Sequence, residues 1–263
     1  MISTIRFPRS AALAAILATS LASVPFVALS ASAQDNSGLA SEVQKKLDKK
    51  QFSSVKADVD GSGIVTLTGS VDLYEYKMDA EHRAGKVKGV KGVRDQIQVA
   101  GPNIPDQQLQ EKLVEKLQYD RVGYGNEFNA ISVGVQDGVV TLAGHARTYV
   151  DRDSAVALAS TFRGVKQVND DIEVDPTSMM DDQARIAVAR AVYGAPQLNR
   201  YFTDPAKPIR ISVQNGHVEL YGVVDSKADK DVAGIRAKGV PGIFSVENHL
   251  QVAGQQPAEQ PGK

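Results

Sequence analysis

Gly63-Ile-Val-Thr-Leu-Thr-Gly69, Gly138-Val-Val-Thr-Leu-Ala-Gly144 and Gly216-His-Val-Glu-Leu-Tyr-Gly222 are three writings of one stretch, with two glycines six residues apart each time. Twenty residues past the second glycine stands another, followed by an aliphatic residue: Gly89-Val90, Gly164-Val165 and Gly242-Ile243. Val93, Val168 and Val246 come next, and the pairs Ile97/Val99, Ile172/Val174 and Leu250/Val252 close each unit. These offsets are the same in all three copies. The copies recur after 75 and then 78 residues. That period exceeds a solenoid repeat and suffices for a small domain.

The hydrophobic period changes in the same order within each copy. Apolar residues four apart, Leu39/Val43/Leu47, Leu109/Leu113/Leu117 and Ala184/Val188/Val192, predict a first helix with one buried stripe. Ser37 and Asp106 stand where they would cap two of these helices. Alternation over Val55–Val59, Ile131–Val135 and Ile209–Val213 predicts a strand with one buried face. Asp137-Gly138 and Asn215-Gly216 tolerate positive φ, so that strand turns back as a hairpin. A second helix carries Ala80/Ala84/Val87, Ala155/Ala159/Phe162 and Ala233/Ala237/Val240 on one face. Two alanines let it approach a sheet closely. The following glycine is read as a left-handed residue ending that helix, and the closing apolar pair as a third strand. The fold class is therefore α+β: three tandem α-β-β-α-β domains, each a three-stranded mixed sheet against two helices. Their bounds are read as 37–100, 104–175 and 178–253.

A hairpin glycine, Val-Thr-Leu-x-Gly, a small-residue helix, Gly-Val-x-x-Val and a final Ile-x-Val together resemble the BON domain, named for bacterial OsmY and nodulation proteins. The resemblance spans about residues 37 to 253. It implies the α-β-β-α-β fold, placement in the Gram-negative envelope, association with phospholipid or membrane surfaces and, for OsmY-like members, osmotic-stress induction and a periplasmic chaperone role. Two-copy members are usual, whereas this chain has three copies. Lipoprotein members need an acylated cysteine, and this chain has no cysteine.

Arg6 and Arg9 precede an uncharged, largely apolar run from Ala11 to Leu29, and Ala31-Ser32-Ala33 follows. This is a secretory signal pattern, so residues 1–33 are read as a signal peptide cleaved after Ala33, delivering the protein to the periplasm. About 20 apolar residues could also span a bilayer. Ser20, Ser23 and Pro25 weaken such a helix, which favours cleavage over a retained anchor. Residues 254–263 are polar and read as a disordered tail.

The full chain holds 30 basic and 31 acidic residues, and removing residues 1–33 takes away two arginines and no acid, leaving 28 against 31, a net charge of −3. Such a balance argues against a nucleic-acid partner. Without cysteine there is no thiolate metal site or cysteine nucleophile. Nor is there a Gly-x-Ser-x-Gly elbow, a His-Glu-x-x-His, a phosphate loop or a dinucleotide fingerprint. His82, His145, His217 and His249 lack ligand spacing and are read as surface or turn residues. Asp58-Val-Asp60-Gly-Ser62-Gly63 imitates the start of a calcium loop, but its twelfth position is Gly69 rather than Glu, and a long polar hairpin turn is the reading adopted. Positions shared by the three copies are Gly, Ala, Val, Ile and Leu, which preserve a core and no catalytic set. The expectation is a non-enzyme without catalytic residues, metal or cofactor.

Residues 101–177 hold 7 basic and 12 acidic groups, so the middle copy is acidic. In the first copy Arg83, Lys86, Lys88, Lys91 and Arg94 crowd the end of the second helix and the loop beyond it. They are the candidate lipid-binding residues, because cations near a charged surface contribute about 1 kcal/mol each. An ordinary solvated face is the competing reading. Tyr119, Tyr124 and Phe128, and Tyr193, Tyr201 and Phe202, precede the first strands of copies two and three. They are read first as closing one end of a core, and second as contacts for a membrane or an unfolded client. The linkers Gly101–Pro105 and Asp175–Ser178 contain proline and should be semi-rigid. The function expected is a periplasmic, OsmY-like envelope protein binding anionic phospholipid through tandem modules, with avidity if several touch at once. The alternative is a chaperone holding unfolded secreted or outer-membrane clients. An enzyme ranks third.

Overall fold

The protein is described by a computed structural model covering residues 31–119, 126–176, 178–204 and 207–254. Residues 1–30, read above as part of a signal peptide, the tail after Gly254, Tyr124 and Pro205 lie outside the described residues. Among the described residues no helix is long and apolar enough to cross a membrane.

The first module runs α1 (Ala31–Lys46), β1 (Lys56–Val59), β2 (Ile64–Val71), α2 (Tyr74–Gly85) and β3 (Gly92–Val99). The second repeats it as α3 (Asp106–Tyr119), β4 (Ala130–Gln136), β5 (Val139–Ala146), α4 (Tyr149–Ser160) and β6 (Gln167–Val174). The third has α5 (Met179–Tyr193), a short α6 (Arg200–Thr203), β7 (Arg210–Gln214), β8 (His217–Tyr221), β9 (Val223–Val224), α7 (Lys227–Lys238), β10 (Ser245–Asn248) and β11 (Gln251–Val252). In each module the hairpin strands pair antiparallel and the last strand pairs parallel with the middle one, as for Val65 opposite both Val59 and Val93. The helix between them makes the crossover that a parallel pair requires. The mixed sheet expected from the repeat is what forms, and each module has its own apolar cluster.

The predicted stripes fill these cores. Ala80, Ala84, Ala155, Ala159, Ala233 and Ala237 are fully buried, and so are Val43, Leu109, Leu113, Val188 and Val192. Full burial of side chains the size of Phe52, Leu67, Leu142 or Leu220 stabilises by roughly 1.5–3 kcal/mol each. Asp137/Gly138 and Asn215/Gly216 have φ of 54°/79° and 51°/75°, the two positive values of a type I′ hairpin. The first hairpin is longer, and Asp60 folds back inside it, its carboxylate accepting from Ser62 N and Ile64 N at 2.9 and 3.0 Å.

Three local expectations are corrected. Ser37 lies inside α1 rather than capping it, because the helix is already formed at Ala31. Asp106 spends its carboxylate across the module, on the hairpin amides of Asp137 and Gly138 at 2.6 and 2.9 Å. Asp181 does the same for Asn215 and Gly216, both at 3.0 Å, while Ser178 caps α5. Finally, Gly89, Gly164 and Gly242 do not end the second helix. The helices stop at Gly85, Ser160 and Lys238, and the glycines occupy the positive-φ third position of a separate turn closed by Val90 N to Val87 O and its equivalents.

The second glycine of each repeat has a stricter duty. Gly69, Gly144 and Gly222 have φ of 115°, 105° and 128°. A Cβ on Gly69 or Gly144 would collide with the carbonyl oxygen of Ser54 or Ala130, just where the first strand begins. Gly144→Ala should therefore destabilise the second module by about 2–5 kcal/mol, combining left-handed strain with backbone overlap. Gly134→Ala, where the nearest atom is 4.0 Å from the new Cβ, is the control and should leave the melting curve nearly unchanged. Thermal unfolding followed by circular dichroism checks both.

Candidate functional site

The basic cluster divides in space. Arg83 lies in the last turn of α2, where its Nε donates to Asp79 at 2.9 Å and its guanidinium sits over the Phe52 ring at 5.7 Å. It is committed to its own module. Lys86 and Lys91, both exposed, line an open cleft of about 540 Å³ between the end of α2 and the start of β3. Met78, Val90 and Val93 give this cleft an apolar lining, and Glu81 and His82 also line it. Lys88 and Arg94 are exposed but do not line the cleft. Sequence proximity thus joined five cations, of which two share one concave surface.

The aromatic groups divide as well. Tyr193 and Tyr201 are buried in the third core. The Tyr193 hydroxyl donates to Ile209 O at 2.5 Å, and burial pushes the phenol up. Tyr201 donates to Asp229 at 2.9 Å and accepts from Asp225 N at 2.7 Å. Core closure, the first reading, describes both. Tyr119 and Phe202 are exposed, and Phe128 packs against the third module's cluster from the second.

That last contact belongs to a junction which the sequence did not disclose. Asp175 follows β6 in the supposed linker, yet its side chain is 0% exposed and faces Arg185 of α5, itself 3% exposed, at 2.9 Å. Arg185 also donates to Val213 O at 2.8 Å and to Asp182 at 2.7 Å. Gln214 donates to Asp175 at 2.9 Å, and His145 Nδ1 lies 3.6 Å from the same carboxylate. His145 comes from β5, so the second module, the linker and the third module meet around one buried acid. On the far side His145 faces Tyr221, ring centroids 6.4 Å apart, and Tyr221 stacks on His249 at 5.0 Å. The reading of His145 as a plain surface or turn residue is corrected accordingly. One signal was present. Arg185 continues the Val188/Val192 side of α5 at i and i+3, where the equivalent residues of the other copies are Ala40 and Gln110. The first two modules also touch, since Tyr74 packs on the second core and Gly101 lies against Gly164.

Three α-β-β-α-β modules with left-handed glycines at equivalent places are now in view. A BON domain profile matches this chain three times, at residues 35–101, 105–176 and 187–254. The chain belongs to the BON domain family. It is 31% identical over 127 residues to the osmotically-inducible protein Y of Escherichia coli (strain K12), an alignment covering 46% of this chain. The chain spans 61% of the length of that curated relative. Two solved structures are similar at a lower level. One is the C-terminal domain of CdsD, the structural protein of the Type III secretion system of Chlamydia trachomatis, with 18% identity, TM-score 0.24 and coverage of 81% of this chain and 96% of that one. The other is the periplasmic domain of the T3SS inner membrane protein PrgH from S. typhimurium, with 10% identity, TM-score 0.17 and coverage of 81% and 99%.

The charges at the junction of this BON protein predict a pH dependence of definite sign. The Asp175 carboxylate 3.6 Å away holds the His145 imidazolium above its ordinary pKa, against the opposing effect of burial, with Glu219 and Glu173 adding to it. Burial raises the Asp175 carboxyl, but the neighbouring His145, the hydrogen bond from Gln214 and the Arg185 charge outweigh it and leave it lowered. A raised histidine contributes stability that is fully present below the unfolded value near 6.5 and is lost as pH rises through the raised folded value. Thermal melts of the full chain from pH 5.5 to 8.5 should show this loss, and His145→Gln should flatten it. Arg185→Met strands a buried carboxylate and should cost about 3–5 kcal/mol by urea unfolding at pH 7.

Proposed function

We propose that this protein is a non-enzymatic component of the bacterial envelope, exported to the periplasm with cleavage after Ala33, which meets anionic phospholipid through its first BON module. The cleft rimmed by Lys86 and Lys91 carries this reading. Its apolar lining of Met78, Val90 and Val93 beside two exposed lysines offers an acyl or glycerol surface and a phosphate partner together. Lys88 and Arg94 add exposed positive charge in the same segment. The similarity to an osmotically-inducible protein supports a role in osmotic or envelope stress. The non-enzymatic part rests on the repeat, whose shared positions are glycines and core aliphatics rather than groups for acid–base or nucleophilic work. Anionic headgroups are the partners, with no nucleic acid and no cofactor.

Sedimentation of residues 34–263 with vesicles tests this. Binding should be several-fold stronger to phosphatidylglycerol-containing vesicles than to phosphatidylcholine alone, and should weaken as salt rises. Lys86→Glu with Lys91→Glu should bring it to the neutral-lipid level, while Arg83→Gln, altering a cation already paired with Asp79, should change it less. Equal binding to both vesicle types would remove the proposal.

A further inference from the structure

The three modules differ at one end, where the hairpin, the Gly-aliphatic turn and the start of the first helix meet. In the second module this corner is filled by the chain's own linker. Ile104 presses on Gly164, with Cδ1 2.9 Å from where a Cβ would stand, and the Pro102 carbonyl is 3.3 Å from that point. Leu39 takes the same place over Gly89 in the first module, at 3.6 Å. Among the described residues nothing lies within 4 Å of the corresponding point on Gly242 in the third.

The sequence explains the opening. The leucine of the first helix, Leu39 and Leu109, is Ala184 in the third copy. The counterpart of Ile104 is Met179, which is 83% exposed and does not cover the glycine. The surrounding charges change as well. Lys91 and Lys166, whose stems cover the hairpin glycines Gly63 and Gly138, are replaced by Phe244 over Gly216. Lys88 and Arg163 are replaced by Pro241. What remains is a cleft of about 580 Å³ with Met180, Ala184, Ala187, Pro241, Gly242 and Phe244 on its walls. Met180 and Phe244 are 80% and 78% exposed, well beyond ordinary core residues.

We propose that this groove binds an extended peptide segment from a partner protein through a branched aliphatic side chain, seated over Gly242 as Ile104 is seated over Gly164. The occupant is defined by the molecule itself, because Gly101-Pro-Asn-Ile-Pro105 fills the equivalent corner one module earlier. Such a segment is already extended by its prolines, which lowers the entropy lost on docking. The polar edge of the groove, Ser178, Gln183 and Asn215, leaves room for the peptide's solvated backbone. The lipid reading concerns a different module and different chemistry, and neither proposal depends on the other.

The test is a titration of residues 34–263, followed by NMR, with the peptide Ser-Gly-Pro-Asn-Ile-Pro-Ser and the same peptide carrying Asn in place of Ile. The isoleucine peptide should shift the resonances of Met180, Gly242 and Phe244 and leave Gly164 unperturbed, with the asparagine peptide at least tenfold weaker. Ala184→Asp, which puts a charge on the apolar wall of the groove, should abolish binding. Should that variant misfold, Met180→Asp, a change at an exposed position on the same wall, should weaken binding at least tenfold with an unaltered melting temperature. Equal binding of the two peptides, shifts confined to other modules, or full binding by a folded Ala184→Asp or Met180→Asp variant would overturn the proposal. So would perturbation of these residues by phosphatidylcholine vesicles but not by peptide, which would assign the groove to acyl chains. Lys86→Glu with Lys91→Glu should leave peptide binding unchanged, which keeps this result separable from that of the lipid assay.

Discussion

Close backbone approach at the second glycine of each repeat governs the module. At Gly69, Gly144 and Gly222 the middle strand passes so near the carbonyl that introduces the first strand that only a hydrogen fits on the α-carbon. The positive φ there bends the middle strand while it still pairs with the last one, as Gly69 does with Ile97 and Gly144 with Ile172. A small sheet bent in this way can wrap one side of a core, and the paired alanines of the second helix let that helix close the other. The hairpin and the crossover helix are arranged around a contact that tolerates no methyl group.

Equal modules nevertheless acquire unequal surfaces. The shared positions are interior, so the exterior is free to diverge, and it has done so in three directions. The first module carries lysines beside an apolar cleft. The second is acidic and is held on both sides, by Tyr74 of the module before it and, toward the module after it, through its own Phe128 and His145. The third exchanges lysine, arginine and leucine for phenylalanine, proline and alanine at one corner. What sets the modules apart chemically is their departures from the repeat rather than the repeat.

This division explains what could be read in advance. Periodicity reported the helices and strands because burial of Leu109/Leu113/Leu117 or Ala155/Ala159 imposes a fixed spacing on neighbouring residues. Asp-Gly and Asn-Gly reported the turns because few residues accept their dihedrals. The junction was not legible, since Asp175, Arg185, Gln214 and His145 come from four separate segments and meet only once two modules have docked. Asp106 misled for a related reason. A carboxylate at a helix start can serve its own helix or a neighbouring turn, and the sequence is the same in both cases. The five cations of the first module were legible as a cluster, but the commitment of Arg83 depended on Phe52, far off in the chain, as well as on Asp79, one helical turn before it.

The buried Asp175–Arg185 pair also bears on how such a chain can be taken apart. Its acid closes the second module and its base lies in the first helix of the third, so a cut placed in the proline segment between them separates the charges into different fragments. The third module excised at residue 178 would keep Arg185 in its interior with only the partly exposed Asp182 to face it, and the second would end on Asp175 with His145 but neither Arg185 nor Gln214 beside it. Duplication or shuffling of single units at this boundary therefore weakens a buried charge pairing on both sides of the cut.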